Sequence, residues 1–282
     1  MANRRLSRII GTFFLFCFAA QANAQTENWM RAFNDTRVIN GQSVETSFKG
    51  DMKFIISHRF GGLNGGFYEL FGLDQSTIRI GLDYGVTNRL TIGAGRSSNG
   101  KTYDGFLKYR LLIQQKDGSP VSITLYTNTA INTLKWAEPE RDNFFSSRLF
   151  YTHQVLFARR MNDNLSVQLI PTVVHRNLVP TADVAHDVYA LGGALRYRLT
   201  HHLAIQAEGY YLPLDQLGTP YTMPLSIGVD IETKGHQFQL SLSNSLGMTE
   251  KIFITETTQL WEKGGIGIGF NITRDFKVKG RK

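Results

Sequence analysis

Beyond residue 50 the chain alternates apolar and polar positions, segment after segment. From Ser76 onward, Ile78, Ile80, Leu82, Tyr84 and Val86 share one parity, while Arg79, Gly81, Asp83 and Gly85 share the other. Side chains of a strand point to opposite faces at a period of two, so one face is apolar and the other carries charge. The pattern predicts strands over 51–60, 76–86, 89–98, 101–113, 120–131, 144–160, 165–176, 186–199, 203–213, 223–233, 236–246 and 264–276. That makes twelve, an even number as in bacterial single-chain barrels, and most are long enough to cross the hydrocarbon layer at a tilt.

The predicted connections alternate in length. Thr87-Asn88, Gln114 to Ser119, Met161 to Asn164, Thr200 to His202 and Lys234-Gly235 are tight and carry turn residues. The stretches 61–75, 132–143, 177–185, 214–222 and 247–263 are longer, and only Asn99-Gly100 breaks the alternation. Short turns on one rim and long loops on the other match the outer-membrane arrangement, with the short turns in the periplasm. The apolar parity includes Leu107, Tyr109, Leu111 and Ile113, then Leu191, Leu195 and Tyr197, then Leu225, Ile227 and Val229. In strand six the same parity includes His153. The expected fold is all-β: a transmembrane up-and-down antiparallel β-barrel with an apolar outside and a wet inside.

The first residues sharpen this placement. Arg4, Arg5 and Arg8 precede a short apolar run, Ile9 to Ala20, and Ala22-Asn23-Ala24 is a small-residue cleavage site. Residues 1–24 therefore read as a signal peptide, with the mature chain starting near Gln25 and the cell outer membrane as destination. The one cysteine, Cys17, lies inside this peptide, so the mature chain has no disulfide or thiolate chemistry. Residues 25–50 are expected to form a periplasmic arm or a partial lumen plug. Within them Trp29 to Phe33 suggests one helical turn, and 37–41 and 43–48 suggest short strands. The barrel is expected over 51–276, followed by a basic tail, 277–282. The formal net charge of +8 includes the three signal arginines, and export without a basic run interleaved with aromatics gives nucleic acid no support as a partner.

Several runs together carry a family resemblance. They are His58-Arg59-Phe60-Gly61, Leu70-Phe71-Gly72-Leu73-Asp74, Gly95-Arg96-Ser97-Ser98, Lys101-Thr102-Tyr103-Asp104 and Gly269-Phe270-Asn271-Ile272-Thr273-Arg274. Across nearly the whole mature chain the sequence resembles an uncharacterised family of outer-membrane β-barrel proteins found in Bacteroidota, classed as a domain of unknown function. The resemblance implies the barrel and the outer membrane and brings no activity or catalytic residue with it. The terminal amphipathic strand, Gly264 to Phe276, looks like the signal read by barrel-insertion machinery, although a basic tail follows it. Outer-membrane lipid and that machinery are the expected partners.

The inward parity supplies the candidate chemistry. Its cations are Lys53, Arg59, Arg79, Lys108, Arg110, Arg148, Arg160, Arg196 and Arg198, and its carboxylates are Asp83, Asp104, Glu208, Asp230, Glu232 and Asp275. Rings of Arg or Lys favour anionic permeants, so one reading is a passive pore for small solutes with an anion bias. The other is a structural barrel whose mixed charges pair and fill the interior. A lipid-modifying, phospholipase-like enzyme is the first alternative. Ser97-Ser98-Asn99-Gly100 resembles the end of a His-x-Ser-Asn-Gly run, but Arg96 stands where the histidine is needed, and a serine nucleophile needs a base. The second alternative, a soluble exported barrel that binds a ligand, requires the apolar faces to point inward. The histidines are too scattered to chelate a metal. The glycines from Gly264 to Gly269 precede no helix, so they do not form a phosphate loop. They are expected to permit curvature or the close approach of a plug. No catalytic set, metal site or cofactor is expected.

Overall fold

The computed structural model describes residues 29–278 apart from 183, 219 and 234. The expected signal peptide, Cys17 and the last four residues of the tail lie outside them.

The predicted alternation becomes twelve strands in one closed antiparallel barrel. They are β1 (Asp51–Gly62), β2 (Ser76–Gly85), β3 (Leu90–Ser97), β4 (Tyr103–Leu112), β5 (Ser122–Ile131), β6 (Leu149–Arg160), β7 (Leu165–Arg176), β8 (Asp187–Arg198), β9 (Leu203–Tyr211), β10 (Leu225–Thr233), β11 (His236–Ser243) and β12 (Gly267–Lys277). Each strand pairs with its neighbours in sequence, and β1 pairs with β12 from Asp51 opposite Lys277 to Gly62 opposite Gly267. Closure leaves no unpaired edge, which a sheet in lipid requires.

The outward positions are apolar. Leu107, Leu125, Leu169, Leu191, Ile227, Leu240 and Ile268 are all exposed. This arrangement overturns the soluble ligand-binding alternative, which needed those faces inside. His153 does stand on this outer face, where Thr127 Oγ1 lies 2.9 Å from its Nδ1. The pairing satisfies part of a polar side chain in an apolar setting.

Several strand ends shift by a few residues, and three local departures from expectation matter for the faces. Phe145–Arg148 is a 3-10 turn ahead of β6. A left-handed Gly264 (φ 69°) ends another 3-10 turn, so β12 starts at Gly267. In β4 the register shifts between Arg110 and Leu112, as in a β-bulge, and the side chains beyond it change face. Ile113, expected outside, is therefore buried, while Leu112 is exposed.

Two segments fold into the barrel rather than around it. Residues 31–48 enter from the short-turn rim. Residues 244–258 enter from the long-loop rim and carry the single α-helix of the described residues, α1 (Glu250–Thr255).

Candidate functional site

Neither a helical turn nor strands form in the N-terminal segment. At the rim Met30 N–H donates to Gln114 O (2.9 Å). The chain then runs inward, with Ala32, Phe33 and almost every residue from Asp35 to Ser47 buried. It reverses in a tight turn closed by Val38 N–H to Gly41 O (2.9 Å) and Ser43 N–H to Thr36 O (3.0 Å). The only ladder-like pairing within it is an isolated bridge between Arg37 and Gln42. It leaves beside the β2–β3 turn, where Lys49 N–H donates to Asn88 Oδ1 (3.0 Å).

A buried backbone without regular structure needs partners for its N–H and C=O groups. The barrel wall supplies them. The carboxylate of Glu208 accepts the backbone N–H groups of Ile39 (3.2 Å), Asn40 (2.6 Å) and Gly41 (3.0 Å). Ile39 O accepts from Asn271 Nδ2 (2.8 Å) and Arg59 Nη2 (3.3 Å). Gln239 Nε2 donates to Val38 O, Gln168 Nε2 to Gln42 O and Lys108 Nζ to Thr36 O, each at 2.8 Å. Thr124 Oγ1 donates to Val44 O (2.7 Å).

Ion pairs add to this grip. Lys53 Nζ lies 2.8 Å from Asp35 and 3.0 Å from Asp275, and Arg110 lies 2.7 Å from Glu45. Burial alone raises a carboxyl, but the Lys53 ammonium holds Asp35 below the ordinary carboxylate range. Arg110 and Arg31 outweigh burial in the same way at Glu45.

Other wall charges pair among themselves. Arg79 makes a bidentate contact with Asp104, through Nε (2.9 Å) and Nη2 (2.5 Å). This contact joins β2 to β4 across β3. A Cβ at Gly95 would meet the Arg79 guanidinium, and one at Gly269 would lie 2.5 Å from Arg59 Cδ. These inward glycines make room for buried arginines laid along the wall. Asp230 is held by Gln237 Nε2 (2.6 Å), Gln206 Nε2 (2.9 Å) and, more loosely, Arg196 Nε (3.6 Å).

The second segment meets the first inside. Glu250 Oε1 of α1 accepts from Gln42 Nε2 and from the Tyr126 hydroxyl, both at 2.8 Å. Arg37 Nη1 stands 3.8 Å from the same oxygen. The neighbouring Phe253 packs edge-on against Tyr210, with ring centroids 5.5 Å apart. Phe253 and Ile254 join Leu156, Ile170, Val174 and Val188 in one buried apolar cluster, which Phe33, Val38, Ile39 and Val44 enter from below.

Of the inward residues singled out from sequence, Lys53, Arg59, Arg79, Asp83, Lys108, Arg110, Arg196, Glu208 and Asp230 are buried on the inner wall. Arg198 is half-buried toward the short-turn rim. Glu232 is exposed at that rim, where it accepts from Asn34 Nδ2 (2.8 Å). Arg148 lies outside the strands. It sits over the Trp136 ring at 3.8 Å and donates to Asn132 O (2.9 Å), tying down the β5–β6 loop. Its expected inward place fails because β6 begins one residue after it.

The alternation already puts Gln168 and Asn271 on the inward parity, but sequence reasoning missed that they, with Gln239, bond the inserted backbone. It also missed α1 and Glu250, for which no periodicity gave a signal. Ser98 is exposed, and its Oγ accepts the Ile78 N–H (2.9 Å). Among the described residues no hydrogen bond joins Ser98 to a histidine. His58 instead faces outward and stacks on Phe270 at 5.2 Å.

Among solved structures the chain is similar to the KdgM porin, with a TM-score of 0.48 and 12% identity over 80% of this chain and 99% of that one. It is also similar to the NanC porin, with a TM-score of 0.49 and 10% identity over 80% and 99%. A third similarity is to outer membrane phospholipase A from Escherichia coli, with a TM-score of 0.44 and 14% identity over 79% and 90%. No curated protein matches the chain significantly. The model of the membrane bound beta barrel domain (DUF5777) matches residues 33–276, from Phe33 in the inserted segment to Phe276 in β12, and the chain belongs to that family.

Proposed function

We propose that the protein is an outer-membrane barrel that passes small anionic solutes when its N-terminal segment leaves the interior. One observation carries this reading: the segment's backbone is bonded to polar wall side chains and has no regular structure of its own. Water can replace each of those bonds, so withdrawal strands no backbone group in an apolar place.

The wall left behind favours anions. Lys53, Arg59, Lys108 and Arg110 all bond the inserted segment and lose those partners when it leaves. The carboxylates in the same position are Glu208, Asp83 and, on α1, Glu250, with Glu232 exposed at the rim and Asp275 still paired with Lys53. Export through a signal peptide over 1–24, with the short turns on the periplasmic side, completes the placement.

Planar-bilayer recording tests the proposal. The full mature chain is expected to give rare ion steps, and a variant lacking 31–47 sustained, anion-selective ones. A folded deletion variant that stays silent would overturn the pathway.

A further inference from the structure

A second site lies at the opposite mouth from the N-terminal segment. A cavity of about 250 Å³ opens between the β5–β6 loop, the top of β6, the end of β7 and α1. It is lined by Lys135, Arg148, Arg176 and Lys251 together with Trp136 and Phe150, and no Asp or Glu lines it.

Three of the four cations are held in place, while Lys135 is exposed on the loop. Arg148 is fixed over Trp136 and bonded to loop carbonyls. Lys251 Nζ stands 4.9 Å from the centre of the Phe150 ring and pairs with Glu256, a carboxylate outside the lining. Arg176 is 5% exposed, and its Nη2 donates to Ala185 O (2.5 Å) and Gln216 O (3.2 Å). Its Nε–H, in contrast, is buried without a partner. A buried charged donor without an acceptor is costly, and among the described residues Arg176 shares this condition with Arg37, Arg110 and Arg196 of the interior but alone among them lines this cavity.

We infer that this cavity is an oxyanion-binding vestibule that takes the phosphate, sulfate or carboxylate of a small molecule. Four cations line the cavity against one carboxylate beyond it, Glu256, which stands near Lys251 and Arg176, and the unpartnered guanidinium donor suits an anionic acceptor. The volume is below that of a drug-sized pocket, so the ligand is small. The site does not depend on conduction. It does, however, reach the interior, since Lys251 follows Glu250, the residue that bonds Gln42 of the inserted segment.

The test is calorimetric titration of inorganic phosphate into the full mature chain in a phosphate-free alkyl glycoside detergent. Saturable binding is expected, and Lys135→Gln with Lys251→Gln should weaken it by about tenfold or more. Arg176→Lys keeps the charge but removes the Nε–H and should also weaken it. Heat-shifted migration on gels checks that each variant is folded.

A parallel arm uses the chain in nanodiscs with and without phosphatidylglycerol. Anionic lipid retained by the wild type, released by phosphate and not retained by the variants, would assign the oxyanion to a headgroup. Phosphate binding without such retention would assign it to a free solute. Neither binding, or binding equal in wild type and variants, would overturn the inference while leaving the conductance result untouched.

Discussion

The inner wall has two unlike sectors. From β10 through β12 and β1 to β4, its buried positions are mostly polar or charged, among them Asp230, Gln239, Asn271, Lys53, Arg59, Arg79, Asp83, Lys108 and Arg110. On β6 to β9 the buried positions are more apolar, with Phe150, Leu156, Ile170, Val174, Val188, Ala190 and Tyr210 set among Thr152, Gln154, Thr172 and Arg176. Each sector holds what its chemistry suits. The polar sector bonds the carbonyls and carboxylates of the N-terminal segment, with Glu208 and Gln168 adding bonds from β9 and β7, while the apolar sector buries Phe253 and Ile254 of the long-loop segment. The N-terminal segment adds Phe33, Val38, Ile39 and Val44 to that apolar cluster, so its release must expose apolar surface as well as exchange wall bonds for water, while the long-loop segment depends more on burial.

The largest expected effect is the conductance gained on deleting 31–47. Sodium and chloride gradients across the bilayer measure its selectivity. If Phe253→Ala alone opened the barrel as fully, the distinction between the sectors would collapse.

Within the polar sector, Arg79→Ala leaves Asp104 buried and unpaired. It should cost about 3–5 kcal/mol in urea unfolding from lipid vesicles. In the apolar sector, Phe253→Ala should cost about 3–5 kcal/mol by loss of burial and cavity formation, with 36–42 still protected from hydrogen exchange. Lys108→Met should do the reverse, raising exchange at 36–42 while the unfolding midpoint barely moves.

A subtler lever is pH. Asp35 and Glu45 are held below their unfolded values, so they stabilise docking above the ordinary carboxylate pKa, about 4. That contribution is lost as pH falls through this value toward the depressed ones. Protease access to 31–48 should therefore rise below about pH 4, and Asp35→Asn with Glu45→Gln should flatten the profile. The smallest expected effect is at Ser98. Ser98→Ala should leave lipid hydrolysis at background, and a serine-dependent lipase signal would revive the enzyme alternative.

Much of the barrel was legible because its signal is local. Ile78, Ile80 and Leu82 against Arg79, Gly81 and Asp83 state their faces within six residues, and a lipid solvent tolerates few exceptions. The β4 bulge escaped because one extra residue reverses parity without leaving a mark in composition. Arg148 escaped because a strand boundary decides which face an end residue takes.

The sequence by itself determined the strand ladder, its apolar outside and the identity of most inner-wall charges, since period-two alternation needs only neighbours. What fills the barrel was decided by tertiary structure. The segment 31–48 has no periodicity, and its partners lie far along the chain: Asn40 N–H meets a carboxylate 168 residues away. Only closure of the sheet brings Glu208, Arg59 and Lys108 around one turn, and only then do the polar faces of separate strands become a binding surface.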